Sequence, residues 1–438
     1  MGPDRLGAIA LVLLAGCAER AVSASTGADA SASDAAPTVA IADAEPPPAG
    51  PVRVLVAGDL IPHRPALAQP ESIKNALAPM IPLFAKGDAV VANYEAATGD
   101  VDPNAFRLAY AVPKQWIAEL PGAGIAHVTV ANNHACDLGE PGLYATLEAA
   151  KESGLDAIGG DMQDAWTPRV LATRGGKRVC AVAWTTIVNA DEGPCARSPK
   201  LAVASIHGYA GKSRIDAAIK RARASCDAVI AIMHGGEEYR KQTTLVMDQA
   251  AHAAEVGADA VVIHHPHIAS PILIHTTRDD RRVPIFASIG NLVANQGESW
   301  KPPMFPVLRE NRRLVCVNGW TRLGLVADLD FRFDASPPRL DWNVHITWID
   351  NEHVEHKDVA VPKISARLLD PKADEDVVAR LSDDPIGPVD LFTEPCWTER
   401  PNATDDPRCH VPLVKPVFVE PSATRTGGRR HVRPSRSR

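Results

Sequence analysis

The sequence contains no C-x-x-C pair, no Gly-rich dinucleotide fingerprint and no P-loop lysine motif. The first absence argues against a zinc site built from closely spaced thiolates. The other two argue against enzymes that depend on a nucleotide cofactor. An excess of positive charge is missing too. Lys and Arg number 46 against 53 Asp and Glu, a formal net charge of -7, so nothing global favours nucleic acid as a partner. No internal repeat is detectable. The apolar run at the N-terminus, Leu6–Ala15, is too short to span a bilayer as a mature helix.

What is present is ordinary in bulk and unusual in arrangement. A chain of 438 residues, 45% hydrophobic and 23% charged, can bury a large core in one big domain or two. Residues 1–17 read as a lipoprotein signal segment, because Leu14-Ala15-Gly16-Cys17 closes the apolar run as a bacterial lipobox does. Cys17 would then carry acyl chains, giving an exported lipoprotein anchored to the cell-envelope membrane. Residues 18–50, rich in Ala, Ser, Asp and Pro and free of aromatics, read as a flexible tether. Residues 51–335 are expected to form the main domain, with 336–420 an extension packing on it. Residues 421–438 carry Arg425, Arg429, Arg430, Arg433, Arg436 and Arg438, and read as a disordered basic tail.

Seven cysteines lie beyond Cys17, so an odd thiol must remain if the rest pair. Export permits disulfides. Cys396 with Cys409 is the first expected pair, flanking a Pro/Asp-rich loop, and Cys180 with Cys195 the second.

From Val52 to about Val293, apolar runs alternate with helical patterns over Pro65–Lys86, Glu140–Ser153, Lys212–Ala224 and Thr243–Val256. Such alternation predicts a largely parallel sheet. Further runs at Val179–Trp184, Arg282–Ile289, Leu314–Val317, Arg322–Leu329 and Trp342–Ile349 predict strands, and Asp374–Leu381 a short helix. The later strands lack helices between them, which predicts an antiparallel second sheet stacked on the first. The expected fold class is α/β, a layered sandwich of two mixed sheets flanked by helices.

Function is concentrated where the strands end. Val52–Ala57 runs into Gly58-Asp59, Ala89–Ala92 into Asn93-Tyr94-Glu95, and Ile125–Ala131 into Asn132-Asn133-His134 with Asp137 close behind. Ala228–Met233 runs into His234-Gly235-Gly236-Glu237-Glu238, and Ala260–Ile263 into His264-His265-Pro266-His267. A merely solvated surface would scatter such side chains, whereas ligands of α/β proteins bind at the carboxyl ends of strands. Carboxylates, imidazoles and amides suit hard or borderline divalent metals, and His265 and His267 would point to one side of an extended segment. His134 could act as general acid or base, with Asp137 either orienting it or capping the following helix. Glu238 and Asn291 could face a ligand; Asn291 alternatively shapes its turn.

Together these motifs resemble the CapA-type capsule-synthesis family, the poly-γ-glutamate biosynthesis group with a calcineurin-like metallophosphatase fold. The resemblance spans roughly Val52 to Gln296. It rests on Gly58-Asp59, Asn93-Tyr94-Glu95, ANNHACDLG (131–139), HGGEEY (234–239), HHPH (264–267) and SIGNLVANQ (288–296). It implies divalent metal ligation (Mn, Fe or Zn) by Asp59, Glu95, Asn133, His234, His265 and His267, with Glu95 in place of a bridging Asp. It also implies His134 as acid or base; the residues themselves add Asp137 as its catalytic partner and Asn132, Glu238 and Asn291 as candidate substrate contacts. The chain departs from the pattern at Ile61, where the fold family's Asp-x-His motif has histidine, and at Gly235 and Ile263, where the family often has Trp and Gly.

Three readings follow. One is a lipid-anchored metal-dependent hydrolase or transferase of envelope or capsule polymer metabolism. Another is a non-catalytic assembly factor that keeps a remnant site and binds an anionic polymer or capsule-synthesis membrane proteins. The third is a metallophosphoesterase. The missing Asp-x-His histidine favours the second; the Asn-His pair and the paired histidines favour the first.

Overall fold

The computed structural model describes residues 50–382, apart from 64, 105–109, 190–192, 206–208, 241, 305–311 and 371. Cys17, the tether up to residue 49, Cys396, Cys409 and the basic tail fall outside the described residues.

Strands β1 (Val52–Leu60), β2 (Ala89–Tyr94), β3 (Ala97–Thr98) and β4 (Ala111–Val112) come first. They are followed by β5 (His127–Thr129), β6 (Asp156–Ile158), β7 (Arg169–Arg174) and β8 (Lys177–Thr185). Next come β9 (Ala228–His234), β10 (Ala260–His264), β11 (Ile272–Thr276), β12 (Arg282–Phe286) and β13 (Asn291–Val293). The series closes with β14 (Leu323–Arg332), β15 (Arg339–Asn351) and β16 (Ile364–Leu368). The helices are α1 (Ser72–Leu77), α2 (Ile81–Phe84), α3 (Lys114–Ala118), α4 (Gly139–Glu152), α5 (Tyr209–Arg223), α6 (Thr244–Val256) and α7 (Glu375–Ser382).

Of the two large sheets, one runs β16-β15-β14-β1-β2-β5-β6, with β13 also on β1, and the other runs β11-β12-β10-β9-β8-β7; β3 and β4 pair as a separate two-stranded ribbon. Both large sheets are mixed. In the first, β1, β2, β5 and β6 are parallel and β14, β15 and β16 antiparallel. In the second, β8, β9, β10 and β12 are parallel, with antiparallel β7 and β11 at the edges. The expected apportionment, one parallel sheet followed by one antiparallel sheet, is therefore corrected. The chain leaves the first sheet after β6, builds the second, and returns with β13 to β16. The stretch after residue 335 supplies β15 and β16 to the first sheet.

The period of two along a strand explains the layering. In β1, Val52, Val54 and Val56 enter a core shared with Ala181, Ile230, Ile232 and Val262 of the opposite sheet. Leu55 and Ala57 face the other way, onto Leu77, Phe84, Trp116, Leu143 and Leu147 of the flanking helices. The outer face of the second sheet packs Val229, Ala231, Val261 and Ile263 on Ile215 and Ile219 of α5 and Val246 and Ala250 of α6. Helices, sheet, sheet, helices: the sandwich has four layers.

Three local expectations are revised. Pro65–Lys86 is not one helix. It breaks into α1, a 3-10 turn at Ala78–Met80 and α2, with Pro79 and Pro82 unable to donate to a continuous ladder. Leu314–Val317 belongs to a 3-10 turn, Arg312–Val317, instead of a strand. Cys180 pairs with Cys226, and Cys195 with Cys136, so the expected Cys180–Cys195 bridge does not form. Among the described residues Cys316 has no disulfide partner. Among the described residues no helix is long and apolar enough to cross a membrane.

Candidate metal centre

The parallel strands of both sheets end at one place. Asp59 registers against Asn93 and Asn93 against Thr129, at the carboxyl ends of β1, β2 and β5. His234 and His264 register against each other at the ends of β9 and β10. Three backbones meet there closely. A Cβ on Gly58 would lie 2.3 Å from the Gly290 carbonyl oxygen, and one on Gly324 would lie 2.0 Å from that of Asn291. Only glycine permits this approach, and it brings Asp59 and Asn291 onto the same histidine.

Asp59, wholly buried, is the hub. Its Oδ1 accepts from Asn93 Nδ2 at 2.8 Å and lies 2.8 Å from His264 Nδ1; its Oδ2 lies 3.2 Å from His267 Nδ1. The first sheet is thus bound to the second through its own candidate ligands. Burial opposes the charge on Asp59, but the bonds to His264 and His267 prevail and hold its carboxyl well below the usual carboxylate range.

Glu95 behaves oppositely. Burial pushes its carboxyl well above the usual range; His267 opposes this, while the Asp59, Glu238 and Asp137 charges add to it. Glu95 Oε2 accepts from Asn93 Nδ2 at 3.2 Å, while Oε1 is buried and has no hydrogen-bond partner among the described residues. That orphan atom lies 3.6 Å from His267 Nε2 and 3.9 Å from His234 Nε2. Two ligands each about 2.1 Å from one ion in a tetrahedron lie roughly 3.4 Å apart, so the spacing fits a shared cation. His267 is pulled down by burial, yet the Glu95 and Asp59 carboxylates lift it to about 9. Burial, helped by the charge of His265, keeps His234 well below the ordinary histidine value.

Glu95 joins two ligand groups, one with His234 and His265 and the other with Asp59 and His267; a third combines Glu238, His265 and His267. Asn133 Oδ1 extends the first group, 2.9 Å from His234 Nε2. A buried oxygen with no donor, set among imidazole and carboxylate atoms at this spacing, suits a borderline divalent ion. The paired histidines converge by an unexpected route. His265 has φ 103° and His267 φ 58°, so the segment is a left-handed turn and not an extended strand. Such backbone costs about 1–3 kcal/mol per residue and is typical of sites that hold side chains in place for function.

His134 sits beside this cluster. Its Nδ1 lies 2.7 Å from Asp137 Oδ2, and its ring stacks on Tyr110 with centroids 3.9 Å apart. Asp137 also accepts from the Tyr110 backbone N–H at 2.6 Å. It does not cap α4, whose N-cap position is Leu138. Glu238 is partly buried near the paired histidines. Asn132 and Asn291 are wholly buried, and both amides are engaged within the protein. Asn132 bonds the Tyr94 carbonyl and the His134 backbone N–H. Asn291 bonds the carbonyls of His267 and Thr321 and the side chain of Gln296, with Oδ1 3.0 Å from His267 Nδ1. Both amides brace the loops around the cluster, and Asn291 steers His267.

Sequence reasoning overlooked Asn93, whose Nδ2 meets Asp59, Glu95 and His234, and His264, which holds Asp59. Both lay in motifs already singled out, so the signal existed. Tyr110 and Asn189 carried no signal at all. His63 is turned to other work. Its Nε2 lies 3.1 Å from the Tyr110 hydroxyl, and its Nδ1 accepts from the Asn295 N–H at 3.0 Å. Burial and the charges of His267 and His134 push it down to about 3.

Comparison with known proteins places the chain among capsule-synthesis proteins. The chain is 30% identical over 177 residues to the "Capsule biosynthesis protein CapA" of Bacillus anthracis, covering 40% of this chain and 41% of that one. It is 25% identical over 228 residues to the "PGA biosynthesis protein CapA" of Bacillus subtilis (strain 168), covering 49% and 56%. The chain therefore spans about half the length of the curated relatives it matches. The family model described as "Bacterial capsule synthesis protein PGA_cap" matches residues 53–296, the stretch that runs from β1 through the SIGNLVANQ turn and carries every candidate ligand named above. On that match the chain belongs to the bacterial capsule synthesis (PGA_cap, CapA-type) family, with its metallophosphatase-like α/β sandwich.

Proposed function

We propose that this protein is a lipid-anchored envelope component of capsule biosynthesis. In this reading its buried pocket holds one or two divalent ions (Mn, Fe or Zn) and serves hydrolysis or group transfer on a poly-γ-glutamate-like polymer or its precursor. The observation that carries the reading is the Glu95 carboxylate, shared by two ligand groups with Oε1 left without a donor. Asp59 and His267 would hold the ion on one side of it, and Asn133, His234 and His265 on the other.

A bound divalent ion supplies Lewis acidity and brings the pKa of water toward neutrality. The rest falls to the protein. Asp137 fixes His134 with a proton on Nδ1 and so leaves Nε2 to exchange protons with nucleophile or leaving group. Tyr110 holds the imidazole plane, and the sandwich walls exclude bulk water. Export, a lipidated Cys17, contact with capsule-synthesis membrane proteins and binding of an anionic polymer belong to the same proposal. They rest on the lipobox-like Leu14–Cys17 and on the family.

A second reading, a non-catalytic assembly factor, is favoured by one observation. Ile61 stands where the Asp-x-His histidine belongs, and His63 is committed to Tyr110 and Asn295. Metal analysis of the purified protein beside His265→Ala and His267→Ala tests the metal. Wild type should retain Mn, Fe or Zn that both variants lose, and equal, trace content in all three refutes it. His134→Ala should keep the metal but lose about 10²–10⁴ of any esterase or peptidase rate. Metal retention with no rate in the wild type would favour the assembly factor.

A further inference from the structure

Asn133 would serve a cation through its carboxamide oxygen, yet an amide turned over presents nitrogen instead. The structure contains the group that decides between the two. Asn133 Nδ2 donates to Asn189 Oδ1 at 3.3 Å, which leaves Oδ1 facing His234 Nε2 at 2.9 Å. The backbones are joined as well, Asn189 N–H donating to the Asn133 carbonyl at 2.9 Å. Asn189 Nδ2 lies 3.4 Å from His134 Nδ1 and 3.5 Å from Nε2, so the one side chain spans both members of the Asn-His pair.

The loop that delivers Asn189 follows β8 and is tied to the end of β9. Thr186 N–H donates to the His234 carbonyl at 2.9 Å, and Thr185 Oγ1 to that of Ile187 at 2.6 Å. Asn189 itself is exposed, so core packing does not require it. We propose that Asn189 is a positioning residue of the metal centre, which holds the Asn133 amide with its oxygen toward the ligand cluster. The assignment rests on the metal-binding reading above.

The test is a double-mutant cycle on the full chain, with the Mn²⁺ dissociation constant measured by calorimetry. Asn189→Ala should weaken binding about 10- to 100-fold, as loss of a residue that orients a ligand does. In Asn133→Asp both terminal atoms are oxygens, so orientation no longer matters, and adding Asn189→Ala should cost no more than about twofold. An equal loss in both backgrounds, or none in either, overturns the proposal. Asn189→Asp keeps the accepting oxygen and should bind Mn²⁺ at least as tightly as wild type; a tenfold loss there also overturns it. If the wild type itself binds no Mn²⁺, the metal reading fails and takes this assignment with it. Binding in the wild type without the expected cycle removes the Asn189 assignment alone.

Discussion

Glu95 Oε1 faces His267 Nε2 at 3.6 Å inside the protein, each group altering the proton affinity of the other. Burial raises the Glu95 carboxyl, and the carboxylates raise His267 to about 9. Both shifts run toward holding a proton, so a cation entering the pocket competes with protons for these atoms.

Glu95→Gln separates stability from binding. A carboxyl raised in the folded state costs stability above its unfolded value, because the unfolded chain ionises more readily. Removing it should leave the metal-free protein as stable as wild type or more so at neutral pH, by urea midpoint. Mn²⁺ affinity should fall by at least about tenfold, the lower bound for groups that merely support a ligand. A clear loss of metal-free stability would contradict this.

Gly58→Ala tests the close approach that seats Asp59. The added Cβ would meet the Gly290 carbonyl oxygen at 2.3 Å and the Leu292 nitrogen at 2.9 Å, both backbone atoms that cannot swing away. Destabilisation of about 1–3 kcal/mol is expected, together with weaker metal binding. A variant with unchanged unfolding midpoint would show that β1 and the Gly290 turn have slack.

Far from the site, Asp328 links β14 to Arg53 of β1 and His345 of β15, with Arg53 Nε donating at 2.8 Å and His345 Nε2 at 2.9 Å. Burial opposes its charge, but these partners hold the carboxyl at about 2. A depressed carboxyl contributes stability above its unfolded pKa and loses it as pH falls through the folded one. After allowance for solvent screening, on the order of 1 kcal/mol should therefore be lost between about pH 4 and pH 2. Asp328→Asn should flatten that part of the urea-midpoint profile and lower its neutral plateau.

The Cys136–Cys195 bridge joins residues 59 apart in sequence and ties the loop bearing Asn133 and His134 to the 3-10 turn Cys195–Arg197. Loop-closure entropy assigns about 4 kcal/mol to a span of this length. Cys136→Ser with Cys195→Ser should cost stability of that order. Peptide mapping without reductant should recover Cys136–Cys195 and Cys180–Cys226; a Cys180–Cys195 peptide would refute the pairing.

Much of this site was legible before any coordinates, for a physical reason. Strand termination is a local event, visible where an apolar run stops, and Asp59, Asn93, Glu95, Asn133, His234 and the HHPH histidines all follow such stops. A parallel sheet puts successive stops at one edge, so residues far apart in sequence could be assigned to one pocket from pattern alone. The two-sheet layering followed from the same runs. What was not legible depends on partners across space. Which sheet received β14 to β16, and which cysteine met Cys180, are set by strand pairing between segments whose local composition is alike. His265 and His267 converge through left-handed backbone that propensity disfavours and only the surrounding packing can enforce. Asn189 shows the limit most plainly: an exposed amide in a loop looks like any other until folding sets it against Asn133.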